Sequence, residues 1–346
     1  MRRRGDHTIR DVAKEARVSL GTVSRVLNGH ESVSPEIRAR VERAIRTLGY
    51  APNAVAQSMR NKQTRTVGCI IRDINLPALA AFVRAAHDVL FQAGYALLLT
   101  NSEGRREREF ELVSLLASRK ADALILAHHS EEDVELHRML EATGMPVVLF
   151  DRERPEWADA VMVDHRGGVR RATEQLLQLG HRRIALITGH PALYPARARI
   201  AGFEAAHKAY GVRLAPDLVR TESFLADYAF QQTSILVASK SPPTAIIAGG
   251  IDVLPGVLRA LRMRGLEIPR DLSLVAASDS DLAQLSVPPI TVESWDYAEV
   301  GRIAAQLVLE RIGSTAGTEP RRVLVPAELI QRGSCGPVPA TRRRRR

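Results

Sequence analysis

Two sets of residues in this 346-residue chain have the types and spacing to do chemistry. The first is the stretch Ser19 to Asn28, SLGTVSRVLN. Its apolar residues Val23, Val26 and Leu27 fall on one stripe of a helix and leave Gly21, Arg25 and Asn28, flanked by Thr22 and Ser24, on the other. A solvated face is ordinarily set with Glu and Lys pairs. Small polar residues around one arginine instead let a backbone approach a duplex closely, where a guanidinium gives a bidentate hydrogen-bond pair to guanine. The second set lies at the ends of apolar runs: Asn75, Asp151, Arg199 and the pair Ser278-Asp279. A carboxylate and a guanidinium at converging strand ends suit a polyhydroxylated molecule, whose hydroxyls both donate and accept. The same residue types also cap helices and bridge packed elements.

Catalysis has little footing. The chain contains no GxSxG elbow, no GxxxxGKS/T loop and no HExxH. His128-His129, followed by Glu131, Glu132 and Asp133, has the residue types of a metal site. Adjacent histidines after an apolar run, with acids opening a helical pattern, read better as a loop and a favourable helix N-terminus. Neither a metal nor a cofactor is expected. The two cysteines, Cys69 and Cys335, give no disulfide framework and no CxxC pair. The basic first residues lack the apolar core of a signal peptide, and no run reaches the roughly 18 apolar residues of a membrane span. A cytoplasmic protein without membrane contact is expected.

The formal charge of +10 is concentrated at the two ends. Residues 1–60 hold twelve Arg and Lys against six Asp and Glu, and Arg342–Arg346 add five more positive charges, which leaves −1 for residues 61–341. A basic head on a nearly neutral body is what binding to a polyanion requires. The terminal arginine run, within a tail over 337–346, is expected to be disordered.

Three helical patterns fill the head. Ile9, Val12, Ala13 and Ala16 repeat at helical spacing behind a Thr8-x-x-Asp11 capping box. Ser19 is the expected N-cap of the second helix. The third begins at Ser34-Pro35, continues through Ile37, Val41, Ala44, Ile45 and Leu48, and stops at Gly49. Three short amphipathic helices in this order make a helix-turn-helix bundle, whose second helix enters the major groove. Pro52 to Arg60 is too short to hold a helix alone in water.

From Thr66 onward apolar runs such as VGCIIRDI, YALLLTNS, ADALILAHH and PVVLFDR alternate with amphipathic helices, and the alternation restarts after AVMVDHRGG with RRIALITG, TAIIAGG and DLSLVAAS. Near-continuous apolar strands between helices predict parallel sheets covered on both faces. Two smaller α/β lobes with a ligand cleft at the strand carboxyl ends fit this length best.

The runs TIRDVAKEARVSLGTVSRVLNG and VSPEIRARVERAIRTLGYAPNAVAQSMR resemble the lac repressor (LacI/GalR) family of bacterial transcription regulators. The likeness continues through HRGGVRRATEQLLQLGHRRIALITG and PPITVESWDYAEVGRIAAQLVLERI, so it spans almost the whole chain. It implies an all-α helix-turn-helix head, a hinge helix and a bilobed body like that of periplasmic sugar-binding proteins. Carried over by position, Leu20, Gly21 and Arg25 fall where the family reads bases, and Thr8, Ser19, Thr22, Ser24, Asn28 and Ser34 where it touches phosphates. The hinge would place Asn53, Ala56 and a wedging Met59 in the minor groove. Asp151 and Arg199 fall where the family holds its effector. The implied protein is a homodimer on a palindromic double-stranded operator, with a small effector of the carbohydrate or related-metabolite class setting its DNA affinity.

The resemblance implies domains over 1–51, 52–65 and 66–336, with lobes of about 66–164 plus 294–323 and about 165–293 plus 324–336, and crossings near Asp164, Ser294 and Val323. Several residues depart from the family pattern. Arg17 stands where the family's turn often has glycine. Asn75 is followed by Leu76-Pro77-Ala78-Leu79 in place of Pro-Phe-Phe, Gly250-Ile251 replaces an Asn-Asp pair, and Ser278 replaces the first of two aspartates, so a sugar-clamping carboxylate is missing. A solute-binding protein would explain the body but not the basic head.

Overall fold

The structure is a computed structural model that describes residues 7–27, 30, 32–50, 63–314 and 319–338. The expected contacts of Asn28, Asn53, Ala56 and Met59, and the run Arg342–Arg346, lie outside the described residues. The chain divides into two compact units, Met1–Thr64 and Arg65–Arg346.

The first unit holds α1 (Ile9–Glu15), α2 (Leu20–Leu27) and α3 (Pro35–Leu48) around a core of Val12, Ala13, Ala16, Val23, Val26, Val33, Val41 and Ala44. Each helix is bounded by local chemistry. The Thr8 amide donates to the Asp11 carboxylate at 2.7 Å and completes a capping box. Ser34 Oγ accepts from the Ile37 amide at 3.4 Å with Pro35 behind it, and Gly49 closes α3 in the left-handed region at φ 59°. At the end of α1, the Val18 amide donates to the Ala13 carbonyl at 3.0 Å and the Arg17 amide to Lys14 at 3.2 Å, the hydrogen-bond pattern of a Schellman motif. The left-handed residue there is Arg17, at φ 50°. The Arg40 side chain of α3 braces this turn by donating to the carbonyls of Ala16 at 2.5 Å and Arg17 at 3.2 Å.

The second unit contains two six-stranded sheets. The first has the order β11-β5-β4-β3-β1-β2, built from β1 (Thr66–Ile71), β2 (Ala96–Asn101), β3 (Ala123–Leu126), β4 (Val147–Phe150), β5 (Asp159–Val163) and β11 (Arg322–Val325), all parallel. The second has the order β12-β10-β9-β8-β6-β7, built from β6 (Ile184–Thr188), β7 (Val219–Arg220), β8 (Ala245–Gly249), β9 (Ser273–Ala276), β10 (Thr291–Ser294) and β12 (Glu328–Ile330). Only β12 runs antiparallel to its neighbour.

Helices α4 (Pro77–Gln92) and α12 (Tyr297–Gly313) pack on one face of the first sheet, and α5 (Arg106–Ser118) and α6 (Val134–Ala142) on the other. The second sheet is covered by α7 (His165–Gln178) and α8 (Tyr194–Ala209) on one face and by α9 (Ala226–Ala238) and α10 (Val253–Met263) on the other. Burial on both faces is why these strands are continuous apolar runs. Among the described residues, no helix is long and apolar enough to cross a membrane.

The chain passes between the sheets three times: after β5, after β10 and after β11. Val323, expected near the third passage, lies inside β11, paired with Val161 of β5 and a few residues before that passage. The passage follows at Pro326-Ala327, because pairing with β5 holds the chain in the first sheet through Val325. Both sheets reverse strand order beside their first strand, so the loops after β1 and β3, and those after β6 and β8, border natural crevices.

A non-glycine residue in the left-handed region costs about 1 kcal/mol, and the head has few buried residues to offset it. Replacing Arg17 with Gly should therefore slow hydrogen exchange of the α1 and α2 amides about fivefold, equivalent to about 1 kcal/mol. Unchanged or faster exchange would show that the Arg17 side chain stabilises the turn.

Candidate functional site

The head presents the outer face of α2. Val23 and Val26 are buried, while Leu20, Gly21 and Arg25 are exposed. Ser19 caps the helix by accepting from the Thr22 amide at 3.1 Å, and its hydroxyl lies 2.9 Å from that of Thr22. Arg25 Nε donates to the Gly21 carbonyl at 3.3 Å, which lays the guanidinium along the exposed face. Gly21 decides how this face is to be read. Among the described residues, a Cβ added there would meet Arg25 Nη2 and Ser19 Oγ, both at 3.8 Å, an ordinary contact, so none of them requires glycine at this position. Ser34 and Thr8 sit at the starts of α3 and α1, each engaged in its own cap.

In the body, a cavity of about 130 Å³ opens between the lobes at the strand carboxyl ends. Arg72, Asp151, Arg152, Trp295 and Tyr297 contribute to its wall, with Arg199, Phe224 and Asp252 opposite. Of the five strand-end residues singled out in the sequence, Asp151 and Arg199 are on this wall, and the other three are not. Asn75 folds back, donating from its amide and its side chain to Asp73 at 2.9 Å. Asp279 accepts both arms of Arg332, at 2.9 and 2.6 Å, and Arg332 with its other neighbours holds the carboxyl below its ordinary value against the opposing effect of burial. Ser278 Oγ lies 3.4 Å from the Tyr297 hydroxyl, behind the wall.

Asp151 follows β4 in the left-handed region, at φ 53°. Its carboxylate accepts from His165 Nε2 at 2.9 Å and from the Val163 amide at 3.3 Å. His165, the first residue of α7, is fully buried, and its Nδ1 lies 3.1 Å from Arg199 Nη2 and 3.6 Å from Glu293 Oε1. Arg199 also donates to the carbonyls of Gly249 at 3.1 Å and Ala277 at 3.5 Å. The Trp295 ring meets the His165 ring edge-on, with centroids 5.0 Å apart. Burial alone would raise the Asp151 carboxyl, but the charge and hydrogen bond of His165, with Arg152 and Arg199 nearby, hold it below the carboxylate range. Burial and the Arg199 charge press His165 down; Asp151 and Glu293 outweigh them and lift it above its ordinary value.

Two further contacts tie the lobes. Arg72, after β1, pairs with Asp252, after β8, at 2.5 Å. Buried Glu131 accepts from the Glu153 amide at 2.8 Å in its own lobe, and from the Tyr194 amide and Arg197 Nη2 in the other. The neighbouring histidines are structural. Burial pushes His128 down to about 3, and its Nε2 donates to the Arg154 carbonyl at 2.6 Å, while His129 Nδ1 meets Glu109 at 2.6 Å. Asp133 caps α6 by accepting from the Leu136 amide at 3.0 Å, as the acidic run after the histidines suggested.

Sequence reading missed His165, Glu293 and Arg72, and did not foresee that Glu131 and Asp252 tie the lobes. Glu293 left one signal: it is the lone charged residue in the short run Thr291-Val292-Glu293-Ser294 that forms β10.

A helix-turn-helix head with an exposed polar helix face, joined to a bilobed α/β body with a charged cavity, defines a ligand-responsive DNA-binding protein. Residues 8–53 match the bacterial regulatory proteins of the lacI family, and residues 173–335 match the periplasmic binding protein-like domain. The ribose operon repressor of Escherichia coli (strain K12) is 32% identical over 333 residues, covering 94% of this chain and 99% of that protein. The structure of the Lac repressor dimer bound to operator and the anti-inducer ONPF superposes with a TM-score of 0.82 at 28% identity, over 95% of this chain and 98% of that one. The complex of the transcriptional regulator CelR with cellobiose gives a TM-score of 0.73 at 31% identity, over 95% and 100% of the two chains. The chain belongs to the lacI family of bacterial regulatory proteins, and it is a DNA-binding transcriptional regulator.

The Asp151–His165 pair sets a pH signature whose sign follows from linkage. Asp151, lowered from 3.8, adds stability that is present above that value and lost as pH falls through its folded value. His165, raised from 6.5, adds stability that is present below 6.5 and lost as pH rises through its folded value. His128, held neutral, works in the opposite direction below pH 6.5. The informative quantity is therefore the difference in melting temperature between the unsubstituted protein and His165→Gln. It should be largest near pH 6 and shrink towards pH 9; a difference that grows with pH would contradict the assignment.

Proposed function

We propose that the protein is a homodimeric repressor, acting on cytoplasmic DNA, that binds a palindromic operator and answers to a small polyhydroxylated effector in the interlobe cavity. Leu20, Gly21 and Arg25 read base edges; Thr8, Ser19, Thr22, Ser24 and Ser34 contact phosphates. Ser34 Oγ, which accepts from the Ile37 amide, still has its hydroxyl proton to give a phosphate oxygen. The division of labour follows the expected domains: 1–51 reads DNA, 52–65 is the hinge, and 66–336 binds effector and dimerises. The effector sits between Asp151 and Arg199, with Arg72 and Asp252 at the cavity wall and Trp295 and Tyr297 offering ring faces. Its relatives support this reading: a Lac repressor dimer bound to operator, a ribose operon repressor and a complex of CelR with cellobiose.

The observation that carries the DNA reading is the open space beside Gly21 on a face that holds one arginine. Alanine is a better helix former than glycine by about 1 kcal/mol, so Gly21→Ala should stabilise the head while weakening operator binding. Arg25→Ala should cost roughly 1–3 kcal/mol of specific binding and relax base preference at one position in each half-site. Selection of bound duplexes from a random pool, repeated with each variant, checks both. A Gly21→Ala protein that binds the selected palindrome as tightly as the unsubstituted protein would remove α2 from the groove.

The dimer reading rests on exposed apolar side chains in each lobe: Leu98 and Leu99 on edge strand β2, and Leu285 and Val287, 81% and 98% exposed, after β9. Such surfaces are covered in a symmetric pair. Leu99→Glu combined with Val287→Glu should give monomers by sedimentation and lose at least tenfold in operator affinity, because one half-site gives little specificity. A double variant that stays dimeric would move the interface elsewhere.

A further inference from the structure

His165 stands between two groups that make opposite demands on one atom. Arg199 Nη2, 3.1 Å from His165 Nδ1, is always a donor, so that contact needs a lone pair on Nδ1. Glu293 Oε1, 3.6 Å from the same atom, is an acceptor, so that contact needs a proton there. Nε2 is committed in either case, since the carboxylate of Asp151 requires its N–H. The arrangement with the Arg199 bond made is thus the neutral Nε2–H tautomer. Within it, both Glu293 oxygens are buried with no hydrogen-bond partner among the described residues, and so is Arg199 Nε. A buried carboxylate left in this condition is costly, and a proton on Nδ1 would relieve it.

The position of Glu293 is built into the fold. A Cβ added at Gly168 would lie 2.1 Å from Glu293 Oε1, so the glycine in the first turn of α7 makes room for the carboxylate. That turn is the positive end of a helix, which favours an anion seated against it. The remaining ionisable neighbours do not compete for Nδ1. Arg152 donates to the carbonyls of His128 and Asp151; Asp164 accepts from the Gly167 amide at 2.8 Å; the Tyr194 hydroxyl donates to the Val163 carbonyl at 2.8 Å; Tyr297 lies against Ser278.

We propose that His165 is a two-position proton switch buried behind the cavity wall: neutral, its Nδ1 accepts from Arg199; protonated from solvent, it donates to Glu293 and releases that Arg199 donor towards the cavity. Effector affinity is then linked to pH through Arg199, which is on the wall, with Asp151 fixing the imidazole throughout. The link to the effector rests on reading the cavity as the effector site, whereas the switch itself can be followed with protons alone.

The chain has two tryptophans, Trp157 and Trp295, and Trp295 abuts the His165 ring. In a Trp157→Phe background, the emission of Trp295 titrated from pH 5 to 9 should show one step with a midpoint above 6.5, the ordinary value for histidine. The step should vanish in His165→Gln and move down by a pH unit or more in Glu293→Gln. A step that persists without His165, or a midpoint unmoved by Glu293→Gln, overturns the proposal. Should a variant fail to fold, nitrogen-15 NMR of histidine in the unsubstituted protein decides: the alkaline form should be the Nε2–H tautomer, and an Nδ1–H tautomer overturns it. If the titration behaves as stated but no metabolite binds the cavity at any pH, the switch stands and the effector reading fails.

Discussion

A carboxylate and a guanidinium removed from water must find partners, and in this protein Asp151 of the first lobe and Arg199 of the second find them through one imidazole. That requirement organises the body. His165 can reach both only because the chain leaves the first sheet after β5 and begins α7 at once, and Glu293 joins because β10 ends beside the first turn of α7. Asp151 and Arg199 lie on the cavity wall, between hydrophobic layers that cover both sheets, so a change in their pairing is felt by anything bound there. Arg72–Asp252 and the Glu131 cluster hold the lobes together at other points, which makes the cleft a closed arrangement stabilised by ionic contacts across it.

The head obeys a different economy. Its core consists of valines, alanines and their neighbours, and each helix depends on its caps for definition. What it gives outward is a surface free of bulky ionic pairs on α2, within a segment whose positive charge attracts a phosphate backbone without selecting sequence. Selectivity must come from the few groups that can reach base edges, and the open space at Gly21 is where the helix backbone can approach most closely.

Much of this was legible in the sequence because it is local. The Thr8–Asp11 box, Ser34-Pro35 and Gly49 mark helix ends through contacts three or four residues away, and the strands declare themselves as continuous apolar runs. Even the turn at Arg17 could be anticipated as a glycine-like position. The cavity was legible only in part. Asp151 and Arg199 line it, but Asp279 is taken by Arg332, 53 positions away, and Asn75 is taken by Asp73. Nor does any periodicity reveal that Glu131 reaches Tyr194, or that Arg72 reaches Asp252 across 180 positions. Such pairings are fixed by how two sheets meet, and a polar residue at a strand end looks the same in sequence whether it faces a ligand or a neighbouring arginine.

The central claim is that the cavity and the DNA-reading face are energetically coupled. The direct measurement is calorimetric titration of an effector that raises the protein's melting temperature, with and without a saturating selected operator duplex. Coupling of about 1–3 kcal/mol requires its affinity to change roughly 5- to 150-fold when DNA is bound, with an equal reciprocal change in operator affinity. Equal effector affinity in the two titrations would contradict the account.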